Sequence, residues 1–143
     1  MSSFMDLDHE RVVMASNKIS IIVVSGAHER LQMAAMLASV GAVSGNDVSV
    51  FLSMNAMPYF VKGSDTPAPA EGPFGTLMAG KKVPAFRTLF HQAVELGGAK
   101  VYPCSMAMDV MGVERAGLEP FLSEPLGLTK FLDDARDAQV WSF

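Results

Sequence analysis

A single cysteine, Cys104, stands in a chain of 143 residues. No disulfide can close within the chain, and disulfide exchange by a two-cysteine motif is excluded. Clustered cations are equally scarce: the net charge is −4, and Lys81 and Lys82 are the only adjacent basic pair. Affinity for nucleic acid comes mainly from clustered cations that neutralise phosphates, so no nucleic acid is expected as a partner. Long apolar runs are missing too. The strongest, such as Ile19 to Val24, fall far short of the roughly 20 residues a membrane helix needs. Met1 to Asn17 carries Asp6, Asp8, His9 and Glu10 and lacks a basic start followed by an apolar core, so it does not read as a secretory signal. A cytoplasmic protein without a membrane span is the expectation, in agreement with the lack of disulfides.

Charged residues make up 18% of the chain and hydrophobic ones 50%. That balance excludes intrinsic disorder. The length suits one domain, and the surplus of apolar material points to association between copies, because exposed apolar patches tend to be interfaces.

Met1 to Asn17 has no clear period and reads as an arm of uncertain order; residues 18–143 read as the α/β domain. Lys18 to Ser25 is β-branched and too apolar for a strand covered on one face only, which is the signature of a central parallel strand. His28 to Val43 places Leu31, Ala35, Leu37, Ala38 and Ala42 at helical spacing, with Gly45-Asn46-Asp47 as its stop. Val48 to Leu52 is a second buried strand. Ala56 to Lys62 suits one short helix with Pro58 in its first turn, ended by Gly63. Gly63 to Pro84 is rich in glycine and proline, so regular structure is not expected there; the segment reads as a mobile excursion, a substrate cover or an interface loop. Ala85 to Leu96 is an amphipathic helix with Phe86, Leu89, Phe90, Ala93 and Val94 on one face. Ala99 to Pro103 is a short third strand and Ser105 to Met111 the helix after it. Val113 to Pro125 is ambiguous. Leu128 to Ala138 resumes helical spacing, and Gln139 to Phe143 closes as a strand. Alternation of this kind predicts a single-domain, doubly wound, mostly parallel sheet of about five strands with helices on both faces.

In such sheets reactive groups gather at the carboxyl ends of the strands. Ser25 to His28, Ser53 to Asn55 and Cys104 to Met106 therefore form the short list. Cys104 lies where a strand gives way to a helix whose first-turn amides and positive end would favour a thiolate, the nucleophilic form. The alternative is a packed cysteine acting as a small hydrophobe. Lys81 and Lys82 could hold an anionic substrate such as thiosulfate, or simply be a solvated turn. His28 could donate a proton or contact an anion, or be a surface residue at a helix start. His91 sits on the polar side of its helix. Met54, Met57, Met106, Met108 and Met111 gather near the second and third strand ends, either as filling or as an adaptable docking surface. His9 with Asp6, Asp8 and Glu10 has no rigid framework for a metal, and no metal site is expected. The turn Ser25-Gly26-Ala27-His28 lacks the glycines of a dinucleotide fingerprint and the lysine of a phosphate-binding loop, so no nucleotide or flavin cofactor is expected.

The segment Lys100-Val-Tyr-Pro-Cys-Ser-Met-Ala-Met-Asp-Val-Met-Gly112 resembles the DsrE/DsrF-like family, in particular its soluble sulfurtransferase branch, where a Cys-Ser-Met stretch opens the helix after the third strand. The Lys18 to Ser25 strand, the Phe86 to Leu96 helix ending in Gly97-Gly98-Ala99, and the closing Ala138 to Phe143 strand fit the resemblance, which spans roughly Lys18 to Phe143. It implies a trimeric or hexameric protein of a cytoplasmic sulfur relay, the trimer being favoured. Cys104 would carry sulfane sulfur as a persulfide or thiosulfonate and exchange it with a small TusA-like carrier or a rhodanese. From the reading of the residues, Ser105, Met106, His28, Lys81 and Lys82 are the candidates for substrate binding around it. Some relatives have another cysteine near the first, whereas this chain has none, which leaves out any role that needs two thiols. Two other classes stay open: a non-catalytic interaction subunit with a packed cysteine, and a one-cysteine peroxide sensor.

Overall fold

The computed structural model describes residues 16–143; the N-terminal arm up to residue 15, with His9 and its acidic neighbours, lies outside them. Four strands form one sheet among the described residues: β1 (Lys18–Val23), β2 (Asp47–Leu52), β3 (Lys100–Pro103) and β4 (Gln139–Ser142). Their order is β3-β2-β1-β4 and every pairing is parallel. The register sets Ile21 beside Val50 and Trp141, and Val50 beside Val101. β1 and β2 are central, which accounts for their apolar runs. Ile21, Val23, Val50 and Leu52 are fully buried.

The chain steps outward from β1 to β2 to β3 and then crosses back to β4. Right-handed crossovers put the connecting helices on opposite faces when the direction reverses. Accordingly α1 (His28–Val43) and α3 (Phe86–Gly97) pack side by side on one face. On the other face α5 (Leu128–Asp134) sets Phe131 against Phe51, ring centroids 5.1 Å apart. Gly41 lets α1 approach the sheet, since a Cβ there would stand 3.3 Å from both Ile19 and Val48 side-chain carbons. The expected apolar face of α3 is the one that is covered, with Phe86, Phe90 and Ala93 buried. Phe60 joins Phe90 edge to face at 5.5 Å and anchors the core beneath the loops.

Three local expectations change. A fifth strand is absent among the described residues, but Ser123 to Leu126 runs along the outer edge of β3. Ser123 N–H donates to Val101 and Leu126 N–H to Pro103, and a single bridge joins Leu126 to Cys104. Pro125 has no N–H to give, so this strap stops short of a strand. The short helix after β2 is a 3₁₀ helix, Met54–Phe60, two residues earlier than its expected start. Pro58 falls inside it and cannot donate the α-type bond to Met54, so the tighter winding carries the chain to Val61, where a bridge to Leu118 takes over. Finally, Gly63 to Pro84 contains a helix, α2 (Pro73–Ala79). Pro73 occupies the first helical turn, where no donor is required. Local propensity gave no sign of this helix; contact with α1 makes it.

That contact is a cradle for one carboxylate. Glu29, in the first turn of α1, accepts the N–H of Glu71 and of Gly72, both at 2.7 Å, and of Gly75 at 3.1 Å. These amides hold its pKa down from 4.5 to about 2 against the opposing effect of burial. Arg30 pairs with Glu71 at 2.7 Å, and His28 N–H donates to Pro69 at 2.8 Å. On the other flank Arg87 reaches Tyr59 carbonyl at 2.8 Å and Thr66 carbonyl at 2.6 Å while lying over the Phe86 ring. The long connection is thus docked on the helix layer.

Candidate functional site

Cys104 follows β3 directly and is the N-cap residue of α4 (Ser105–Met111), which ends at Gly112 in the left-handed conformation (φ 68°). Its N–H donates to Leu52 and its carbonyl accepts from Met108, so the backbone is fixed from both the sheet and the helix. Ser105 N–H donates to Leu126 at 3.1 Å, and so the strap is tied to the cysteine from the other edge. The thiol is free but only 5% exposed. Ser105 and Met106, next in the chain, are exposed.

Beside it a groove of about 300 Å³ runs between the 3₁₀ helix and α4, lined by Met54, Asn55, Pro58, Met106, Val110 and neighbours. Met54 adopts φ 50°, the one left-handed non-glycine among the described residues. Such a conformation costs on the order of 1–2 kcal/mol for an L-residue, and here it belongs to the rim of the groove nearest the strand ends. Of the methionines grouped by sequence, Met54 and Met106 are half exposed at this groove, while Met57 and Met108 are buried and serve as core.

The expected site residues separate into three places. Cys104, Ser105 and Met106 are contiguous at β3. His28 opens α1 after β1, which is separated from β3 by β2 in the sheet. It lies edge-on to Phe86 at 6.2 Å and lines a different groove with Pro67, Ala68 and Arg87. Lys81 and Lys82 are exposed in the turn between α2 and α3, and neither makes an ion pair among the described residues. Among the described residues no ion pair joins them to the cysteine segment. His91 stacks on Phe121, centroids 4.8 Å apart, and faces Glu95 at 3.4 Å.

A second crevice lies between the segments that follow β1 and β2 and the docked loop. Ser25, Gly26 and Ala27 line it with Asn55, Tyr59, Pro69 and Glu71, about 450 Å³ in all. Ser25 Oγ accepts the Ala27 N–H, and Phe143 carbonyl accepts from Val24 and Ser25, so the floor is fixed by the last residue of the chain. Asn55 belongs to both grooves. Among the described residues no group of three His, Cys, Asp or Glu gathers where a metal could sit, and no helix is long and apolar enough to cross a membrane.

Sequence reasoning missed Glu29 and its cradle. An acidic residue in the first turn of a helix is a common stabilising choice, and only the folded loop distinguishes this one. The glycines at 72 and 75 were the available signal: a side chain at Gly75 would collide with the Glu29 carboxylate.

A doubly wound parallel domain with a cysteine closing its third strand defines the class, and the sequence agrees. The chain belongs to the DsrE/DsrF/DrsH-like family, whose model matches residues 71–143. Among solved structures, the YchN protein from E. coli is 19% identical and superposes with a TM-score of 0.64, covering 88% of this chain and 99% of that one. MTH1491, a protein of unknown function from Methanobacterium thermoautotrophicum, is 6% identical with a TM-score of 0.65, covering 88% and 98%. At these identities the likeness is one of fold. No curated protein matches the sequence.

Proposed function

We propose that this protein is a carrier in a sulfur relay, the role associated with its family, and that Cys104 holds the sulfane sulfur. The observation that supports this most is the placement of the chain's only cysteine at the carboxyl end of β3, capping α4, beside an open apolar groove. In the reaction the Cys104 thiolate attacks the outer sulfur of a donor persulfide or of thiosulfate. A bond forms between that sulfur and Sγ, the donor's S–S bond breaks, and the donor leaves as a thiolate or as sulfite. Discharge is the same displacement in reverse, by a thiolate of the acceptor, which this reading takes to be a TusA-like carrier or a rhodanese domain.

Two features shape that chemistry. The thiol is buried, so loading requires local opening, and the elements beside it are short: α4 has seven residues and the strap is held by three backbone hydrogen bonds, to Val101, Pro103 and Ser105. Segments with so few contacts open at a small fraction of the global stability. The lining beside the thiol is the other feature. Met54, Pro58, Met106 and Val110 make the groove apolar, which suits an apolar protein segment better than a free anion, and His28, Lys81 and Lys82 remain the proposed contacts for an anionic sulfur donor. Trimeric assembly is carried along with the family role.

Intact-mass measurement after incubation with polysulfide, thiosulfate or a loaded carrier tests the proposal. A single-sulfur adduct on the wild type that is lost in Cys104→Ala is the expected result, and no adduct with any donor rejects it. The burial of the thiol supports a second reading, an interaction subunit whose cysteine is only packed. It predicts no adduct and intact partner binding after Cys104→Ser.

A further inference from the structure

The apolar runs of the two central strands are each interrupted once, by Ser20 in β1 and by Ser49 in β2. The parallel register sets these serines side by side, with Lys100 of β3 next in the same row. The row belongs to the α5 face, because Ser49 stands two residues before Phe51, whose ring meets Phe131. The seven residues of α5 make about 10 Å of helix, whereas a six-residue strand runs about 20 Å. A cleft of about 210 Å³ remains over the amino-terminal half of the face, bounded toward the middle of the sheet by Phe131 and Tyr102. Ser20 lines this cleft and is only 4% exposed. Neither its hydroxyl nor that of Ser49 has a hydrogen-bond partner among the described residues. A hydroxyl drawn into a central strand without a partner is costly, and both of these face the same space.

The charges around that space balance. Lys18 is held by Asp137 at 3.2 Å and by the Asp134 carbonyl, and the Asp134 carboxylate is held by Lys130. Of the charged residues lining the cleft, Lys100 and Asp47 are left without an ion pair among the described residues. One is a cation beside Ser49 in the register, the other an anion two residues before Ser49 on β2. We infer that this cleft binds a small zwitterion of the α-amino-acid class. The ligand carboxylate accepts from the Ser20 and Ser49 hydroxyls and from the Lys100 ammonium, the ligand ammonium donates to Asp47, and the Phe131 and Tyr102 rings receive an apolar side chain. One free charge of each sign suits a zwitterion better than a bare dianion. The volume, room for on the order of seven waters, admits an amino acid and not a nucleotide. Lys18, Asp47 and Lys100 are the first residues of their strands, whereas Cys104 follows the last residue of β3. The cleft is therefore at the opposite end of the sheet, and this inference does not depend on the sulfur chemistry.

Titration of the full-length, isotope-labelled chain with L-valine, L-alanine and L-methionine, followed through amide resonances, reads it out. Saturable shifts at Ser20, Ser49 and Lys100 in the millimolar range are expected for at least one of the three. For L-valine, isovalerate and isobutylamine, which each keep only one of its charges, should bind at least about tenfold more weakly. Lys100→Gln and Asp47→Asn alter exposed side chains that make no ion pair among the described residues, and each should weaken amino-acid binding about tenfold with the rest of the spectrum unchanged. Cys104→Ala should leave it as it is. No saturable shift with any of the three amino acids overturns the inference. Isovalerate binding as tightly as L-valine reduces the cleft to an anion site and overturns it too, as does an affinity unchanged in both charge variants.

Discussion

Gly97→Ala adds one methyl group where α1 and α3 touch, and the structure fixes both the sign and the size of its effect. A Cβ built on Gly97 meets the Cβ of Ala42 and stands 2.7 Å from the Ala42 carbonyl carbon and 3.0 Å from the Val43 nitrogen. The last two are backbone atoms of a helix packed on the sheet, so no side-chain rotation relieves the clash. Replacing glycine by alanine in an unobstructed helix stabilises by about 0.4–1 kcal/mol, because the unfolded chain loses freedom. Overpacking a close contact costs about 1–3 kcal/mol. The close approach therefore reverses the usual sign and leaves a net loss of about 1–2 kcal/mol. Against a domain stability on the order of 5–15 kcal/mol this is readily measured. Urea unfolding followed by far-ultraviolet circular dichroism, at one fixed protein concentration so that association does not move the midpoint, should show a lower midpoint with an unchanged slope. Ala42→Gly makes room, so the double variant should recover part of the loss, with a coupling of about 0.5–1.5 kcal/mol. A Gly97→Ala protein as stable as the wild type, or more so, refutes the reasoning.

The Glu29 cradle has a defined pH range: with the carboxyl pKa depressed from 4.5 to about 2, its stabilisation is complete above the ordinary value and disappears as pH falls toward 2. The amide resonances of Gly72 and Gly75 should titrate together with a midpoint near 2 and stay flat in Glu29→Gln, and a midpoint near 4 would sink the assignment. Arg87→Ala removes the donors to Tyr59 and Thr66 carbonyls and leaves those groups without a charged partner, so a loss of about 1.5–3 kcal/mol is expected. Faster proteolysis between residues 63 and 70 should accompany it, and unchanged cleavage there contradicts the docking of that segment. Phe60→Ala empties a fully buried site among Phe86, Phe90 and Phe121; about 3–5 kcal/mol is the expected cost by urea unfolding. A loss below about 1 kcal/mol would mean the cluster is not packed as described.

Most of the fold was legible because its elements are written in local pattern. The β-branched runs at Ile19–Val23 and Val48–Leu52 bury both faces, and a strand like that has little choice but the middle of a parallel sheet. The face of α3 and the bounds of α1 and α4 follow from helical period and from the glycines that end them. Cys104 was placed at a strand end by counting elements and by likeness to a family that the matching model then showed. The departures arose where local signals were weak and distant contacts decided. Pro58 fits the start of an α-helix and the interior of a 3₁₀ helix equally well until Val61 and Leu118 pair. Pro73-Phe-Gly-Thr-Leu has poor helical propensity, and only three backbone amides converging on Glu29 turn it into a helix.

By itself, then, the sequence determined the chain's class: an α/β domain wound around two buried strands, with one cysteine and therefore no chemistry that needs two thiols within a chain. Period and composition carry this, because burial of apolar side chains depends chiefly on their local spacing. Only the tertiary structure decided which groups meet. It sank the thiol beneath the surface, opened a methionine-lined groove beside it, and docked the loop and α2 on α1 through the Glu29 carboxylate. Those relations depend on where crossovers deliver residues distant in the chain, and no local spacing encodes that.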